Sequence, residues 1–367
     1  MTTMLTRTTA GLLPTTGNPA KIAVHRLFGQ LDASRRAFSV SHRRLVAGND
    51  KKNKPPTDQD ALAKSISGLQ RTVNGPDPNS PLANAPRSYG KKTTEFTPTP
   101  LARPIGLNYR PEAGQNSGID TRSLKQRRDD FVDYDKHLIR RRYLTSQVAK
   151  PYFRDWRNLQ FHKGKTFLSP PRIFKSDLSL YFPNLHGRTL AKTPEAAAAD
   201  TTPVLEGRAS VVALFSGRWA EKQVSTFVSP EANPALHQVL KASGGKAQLV
   251  KINVEEAWLR FWLLRLFTGS LRRTLGKENW GKYFIVHKGI SDEIRESIGL
   301  LNSKVGYTYL VDHDCRIRWA GSGDAEPGEP EGLVKGLGRL LEDMKQDGVG
   351  ANYTMRPVAM KPTEEKK

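Results

Sequence analysis

Between residues 203 and 346 the hydrophobic pattern changes period in a fixed order, and that order restricts the fold more than any other feature. "RASVVALF" is a strand-like run of β-branched and apolar residues. "WAEKQVSTF" and "NPALHQVLKAS" follow with helical spacing, then a second strand run, "AQLVKINV". "EEAWLRFWLLRLFTGSLRR" reads as a helix, "KYFIVH" as a strand and "SDEIRESI" as a short helix. "GYTYLVD" and "CRIRWAG" are strands on either side of a polar turn, and "EGLVKGLGRLLEDM" is a closing helix. Strands separated by helical crossovers lie parallel, whereas strands joined by a tight turn lie antiparallel.

An α/β domain that begins with βα alternation and ends in a hairpin and a helix is thioredoxin-like, and roughly 140 residues suffice for one such core. Enzymes of this fold place a nucleophilic cysteine where the first strand meets its helix, because the helix amino terminus lowers the thiol pKa. The junction here, "LFSGRWAEKQVSTF", offers Ser216, Trp219 and Glu221 but no cysteine. Where a cis-proline would precede the hairpin, "KVGYTYLV" has Gly306 and Tyr307. Cys315, the one cysteine of the chain, falls in or just after the hairpin turn and reads as a structural thiol. A lone cysteine excludes an internal disulfide and any C-x-x-C site. The expectation is a thioredoxin-like domain without redox cysteines, and a peroxiredoxin-like activity lacks its nucleophile.

Other site-like residues read the same way. Asp312, His313 and Asp314 are adjacent on a turn and cannot all face one metal. His162, His186, His237 and His287 show neither metal spacing nor triad order. "GKT" at Gly164, Lys165 and Thr166 lacks the glycine five residues earlier that a phosphate loop needs, since position 159 is Leu. No catalytic residue, cofactor or metal site is expected.

The rest of the chain is organised differently. Residues 1–46 carry Arg7, Lys21, Arg26, Arg35, Arg36, Arg43 and Arg44 against Asp32 alone, and "AVHRLFGQL" can form a basic amphipathic helix. That is the composition of a mitochondrial presequence, with cleavage expected after Phe38 in "RRAFS". Residues 39–120 are rich in Pro, Gly and Lys without periodicity and read as disordered. Residues 121–190 are expected to hold a long helix over 121–149, started by Thr121, and an extended basic–aromatic arm. Residues 191–202 read as an Ala-rich linker, 203–346 as the thioredoxin-like domain and 347–367 as a flexible tail. The net charge of +22 favours acidic partners. No apolar run reaches the ~18–20 residues of a bilayer span.

The unusual element is the helix at 255–273. Trp258, Phe261, Trp262 and Leu266 share one face by spacing, while Leu259, Leu263, Leu264 and Phe267 cover much of the rest. Arg260 and Arg265 interrupt the apolar cylinder. A helix apolar on nearly all sides is normally buried, yet a thioredoxin-like helix packs one side on its sheet. Trp258, Phe261, Trp262 and Arg265 are therefore candidates for contact with a client or a membrane.

"YFRDWRNLQFHKGKTFLSPPRIFKSDLSLYFPNLHGRTL", "SVVALFSGRWAEKQVSTF", "LVKINVEEAWLRFWLLRLF" and "GYTYLVDHDCRIRWAGSG" resemble the fungal mitochondrial ATP synthase assembly factors of the ATPase subunit-ten type. The resemblance covers about residues 121–345. It implies a non-enzymatic chaperone on the matrix side of the inner membrane, peripherally associated with it. The implied partner is the proton-channel subunit a (subunit 6), before it joins the c-ring; no cofactor is implied. The alternative from the residues is a basic mitochondrial RNA- or ribosome-associated protein that stacks bases on the aromatic–basic arm.

Overall fold

Seven strands of the described residues join in one sheet. They are β1 (His186–Thr189), β2 (Ala199–Asp200), β3 (Ala209–Phe215), β4 (Ala247–Val254), β5 (Tyr283–Val286), β6 (Tyr307–Val311) and β7 (Ile317–Ser322). Their spatial order is β2-β1-β5-β4-β3-β6-β7. The computed structural model describes residues 80–88, 92–118, 123–148 and 153–346, which lie in one unit of the chain, Pro56–Lys367. The presequence expected at 1–38 and the tail at 347–367 fall outside the described residues.

β3, β4 and β5 are parallel, β6 pairs antiparallel with β3, and β7 antiparallel with β6. The run β4-β3-β6-β7, with helices between the parallel strands and after the hairpin, is thioredoxin-like, and β5 adds a parallel strand at its edge. Every residue of β3 is buried, because both sheet faces are covered. Val212 and Leu214 point to one core, and Val211, Ala213 and Phe215 to the other, as the two-residue period requires.

The helices are α1 (Leu124–Val132), α2 (Tyr134–Val148), α3 (Arg154–Asn158), α4 (Thr202–Leu205), α5 (Gly217–Val228), α6 (Pro234–Ala242), α7 (Trp258–Leu266), α8 (Thr268–Leu275), α9 (Asp292–Ser297) and α10 (Glu329–Gln346). α5, α6 and α10 cover the Phe215 face. α5 buries Ala220, Val224 and Phe227 at helical spacing, and α10 buries Leu333, Leu337, Leu340 and Met344. Phe227 meets Trp319 of β7 edge-on, ring centres 6.0 Å apart. α6 starts at Asn233, whose side chain accepts the Leu236 N–H at 3.1 Å, with Pro234 in the first turn.

The opposite face is covered mainly by irregular chain, which corrects the expected organisation. Residues 80–118, expected to be disordered with the rest of 39–120, bury Leu82, Leu101, Ile105 and Leu107 wherever they are described. Several of their backbone bonds go to the arm: Leu101 N–H to Leu168 O at 3.0 Å, and Leu107 and Tyr181 exchange bonds of 2.8 Å, while Gly106 N–H goes to Ser297 O at 2.8 Å. Apolar residues that bury singly, on chain paired with a distant segment, leave no local period to read. The arm lies on its own domain through Phe167, Phe182 and Leu185. Nor is 191–202 a linker: β2 pairs with β1, β1 pairs with β5, and Thr201 and Thr202 are buried.

The single helix expected over 121–149 is two helices. Asp133 is extended, and its carboxylate accepts the Asp135 N–H at 3.1 Å, restarting the helix. Ser123 closes a capping box with Gln126, while Thr121 lies outside the described residues. Leu124, Phe131 and Tyr134 recur at helical spacing, yet all three are exposed. The helix at 255–273 likewise breaks at Phe267, into α7 and α8.

Candidate functional site

β3 ends at Phe215, Ser216 is extended, and α5 starts at Gly217 with positive φ (78°). This is the place of the nucleophile in thioredoxin-like enzymes, and the Ser216 side chain makes no cap bond to the helix. Ser216 is half-buried and borders a small, partly open cavity lined also by Val254, Glu255, Arg260, Arg295 and Ser303. Gly306 donates its N–H to Gln223 Oε1 at 3.0 Å, and a Cβ on Gly306 would stand 2.4 Å from Ala220 O. Beyond it, buried Glu255 at the end of β4 pairs with Arg260 at 3.2 Å, and Glu256 pairs with Arg295. These ion pairs line the end of the sheet where a redox pair would work, beside the tight packing of Gly306 on α5.

Cys315 is at the other end. The register pairs Val311 with Ser210 and Tyr307 with Leu214, so the β6–β7 turn lies beside the start of β3, a strand length from Ser216. Cys315 has positive φ (64°) and is 2% exposed. Burial first, then the Glu206 charge, pushes its thiol up to about 12. At neutral pH it carries no thiolate, and the thiolate is the nucleophile.

The His162 side chain is exposed, while most other site-like residues are absorbed by structure. Asp312 accepts the N–H groups of Asp314 and Arg316 at 3.0 and 2.8 Å, and Arg318 at 3.2 Å, which fixes the turn. His186 donates to Asp200 at 2.9 Å, His237 to Val228 O at 2.9 Å and His287 to Glu255 O at 2.7 Å. Among the described residues no group of three His, Cys, Asp or Glu side chains could hold a metal ion. Lys165 of "GKT" is buried and donates to Ser322 O, Asp324 O and Glu329. It binds the arm to the start of α10.

What remains unabsorbed is α7, none of whose nine residues is buried. Trp258, Leu259, Trp262, Leu263 and Leu266, followed by Phe267, are 39–70% exposed. At roughly 100° per residue the five helical ones form a single stripe. Arg265 borders it on one side and Arg260 on the other. The reverse side, Phe261 and Leu264, rests on the Phe215 core, and Phe261 stacks on His287 with ring centres 4.6 Å apart. Phe261 therefore does not share the outward face with Trp258 and Trp262. Its stacking partner, His287, follows β5 and is distant in sequence, so helical spacing alone grouped Phe261 with the wrong side. The bracketing arginines are the local signal for the true stripe. α8 is anchored by Arg272, which donates to Leu190 O at 2.7 Å and lies over Trp280.

The family model described as "ATP10 protein" matches residues 85–340. The chain belongs to the ATP10 protein family. A relative in Eremothecium gossypii, named mitochondrial ATPase complex subunit ATP10, is 30% identical over 64% of this chain and 82% of that protein. The Saccharomyces cerevisiae protein of the same name is 28% identical over 67% of this chain and 88% of its own length. Among solved structures, a secreted thiol-disulfide isomerase from Corynebacterium glutamicum is 13% identical, covering 49% of this chain and 99% of that chain, with a TM-score of 0.33. Copper-bound yeast Sco1 is 11% identical over 44% and 90%, with a TM-score of 0.28. The fold assignment of this ATP10-family chain rests on its strand order and register, not on those likenesses.

Proposed function

We propose that this ATP10-family protein is a non-enzymatic assembly factor of mitochondrial ATP synthase, acting at the matrix face of the inner membrane. It binds newly made subunit a and promotes its association with the c-ring. The observation that carries this reading is the pairing of family membership with a thioredoxin-like scaffold whose nucleophile position holds Ser216. The exposed side of α7, with Trp258, Trp262 and Arg265, gives such a scaffold an apolar surface for work beside a membrane. Import through a presequence over 1–38 fits the same location.

The RNA- or ribosome-associated alternative relied on the aromatic–basic arm. Phe167, Phe182 and Lys165 of that arm are buried, and Tyr181 is covered by the Arg316 guanidinium at 4.8 Å, so bases lose these stacking faces. Crosslinking in isolated mitochondria during pulse-labelled organellar translation tests the choice. Subunit a should be captured with nuclease present; crosslinks that vanish with nuclease, with no subunit a among the products, would favour the RNA reading instead.

A further inference from the structure

Charge along α7 and α8 is one-sided between the flanking Glu256 and Glu278. From Ala257 to Lys277 there is no Asp or Glu, while Arg260, Arg265, Arg272, Arg273 and Lys277 are cationic. Arg260 is held by Glu255 and Arg272 by Leu190 O and the Trp280 ring. Arg265 and Arg273 are exposed, and no ion pair involves either of them or Lys277 among the described residues.

From this we propose that α7 is an in-plane docking element for an anionic phospholipid bilayer, with Trp258, Leu259, Trp262, Leu263, Leu266 and Phe267 entering the interface. The inference rests on the membrane-side location in the function proposed above and names what the exposed stripe meets there. Shape and charge both choose a bilayer over an apolar protein segment. A client helix is ordinarily taken into a groove, but α7 is a ridge held by Phe261 and Leu264 and bare on the rest of its surface. Amphipathic helices of this kind lie in the headgroup region with the apolar side down. Nine residues at 1.5 Å rise make roughly 14 Å, about half a hydrocarbon core, so α7 can lie in the interface but not cross. The indole rings suit the boundary between headgroup and chain. Arg260 and Arg265, on the two margins of the stripe, can lay their stems along it and keep their guanidinium groups among phosphates.

The experiment uses the full chain with vesicles of phosphatidylcholine alone, or with about a third phosphatidylglycerol, the latter also made with bromine on the acyl chains. A net charge of +22 will draw the protein to any anionic surface, so flotation alone is insufficient. Bromine quenching of tryptophan requires the ring to reach the acyl chains. Quenching is expected with the anionic vesicles. It should be lost in Trp258→Phe/Trp262→Phe, which keeps flotation because the stripe stays apolar. Leu259→Gln/Leu266→Gln should lower vesicle affinity at least tenfold with an unchanged unfolding midpoint, and Arg265→Glu/Arg273→Glu should do so at low salt. Flotation without quenching, or quenching that survives Trp258→Phe/Trp262→Phe, would overturn the proposal. So would vesicle affinity unchanged by Leu259→Gln/Leu266→Gln alongside lost capture of subunit a, which would make the ridge a protein-docking surface. Intact vesicle docking with no subunit a captured would instead remove the functional reading and leave the lipid surface standing.

Discussion

The ammonium of Lys165 lies 2.8 Å from the Glu329 carboxylate, and both side chains are buried, 3% and 8% exposed. The pair joins the arm to the first turn of α10, and Glu329 also accepts the Ser169 and Glu326 N–H groups at 2.7 and 2.8 Å. Removing one partner leaves the other charge buried without compensation, which costs about 3–5 kcal/mol. Lys165→Met should therefore lower the unfolding free energy by that amount in denaturant titration. Lys165→Met/Glu329→Gln should recover part of the loss.

Alkaline pH should destabilise the fold in a defined order. Burial raises Cys315 from 9.0 to about 12, raises Tyr283 and Tyr307 from 10.0 to about 12, and raises Tyr309 as well. The unfolded chain loses these protons first, so the folded state holds more protons above pH 9. Stability is then full below that pH and falls as pH rises toward 12, by up to about 1.4 kcal/mol per pH unit for each group. Chemical denaturation across pH 7–11 should show a plateau and then a decline. Cys315→Ala should move the start of the decline from about pH 9 to about pH 10, where tyrosine ordinarily ionises.

Ser216 and Cys315 occupy sites of opposite character for a thiol. In Ser216→Cys/Cys315→Ala, the new thiol at the amino terminus of α5 should be alkylated by iodoacetamide at pH 7 at least tenfold faster than a free cysteine, because that position favours thiolate. The native protein should react only as fast as it unfolds. Neither form should turn over a disulfide, since each has a single thiol. Fast labelling of native Cys315 would contradict its burial.

Gly306→Ala places a methyl group 2.4 Å from the Ala220 carbonyl oxygen, which belongs to helix backbone. Relief requires α5 to shift against β6, at roughly 1–3 kcal/mol. A melting temperature equal to wild type would show that this end of the sheet is looser than its packing indicates.

The two sides of α7 should separate in stability measurements. Trp258→Ala and Trp262→Ala change exposed rings and should alter unfolding free energy by no more than about 0.5 kcal/mol. Phe261→Ala removes a half-buried ring from His287 and the Phe215 core, at about 2 kcal/mol. Equal losses in all three would make α7 ordinary core.

Apart from the break at Phe267 that divides α7 from α8, the sequence by itself determined the order of elements from β3 to α10, since each rests on a local period: two for strands such as "SVVALF", 3.6 for α5 and α10. It also determined the missing nucleophile at Ser216 and the absence of a phosphate loop at Lys165, because both depend on residue type at a fixed offset. Tertiary structure decided which apolar residues outside those periods were core. Leu82, Leu101 and Phe182 are buried because separate stretches of chain pair across a sheet face, while Leu124 and Phe131, at helical spacing, are exposed. It also decided that Phe261 turns inward to His287 and Trp262 outward, and that Lys165 meets Glu329 across 164 positions. Hydrophobic periodicity records how a segment presents itself to a neighbour. Whether that neighbour is a sheet, a distant loop or no part of the described chain depends on contacts that close only in three dimensions.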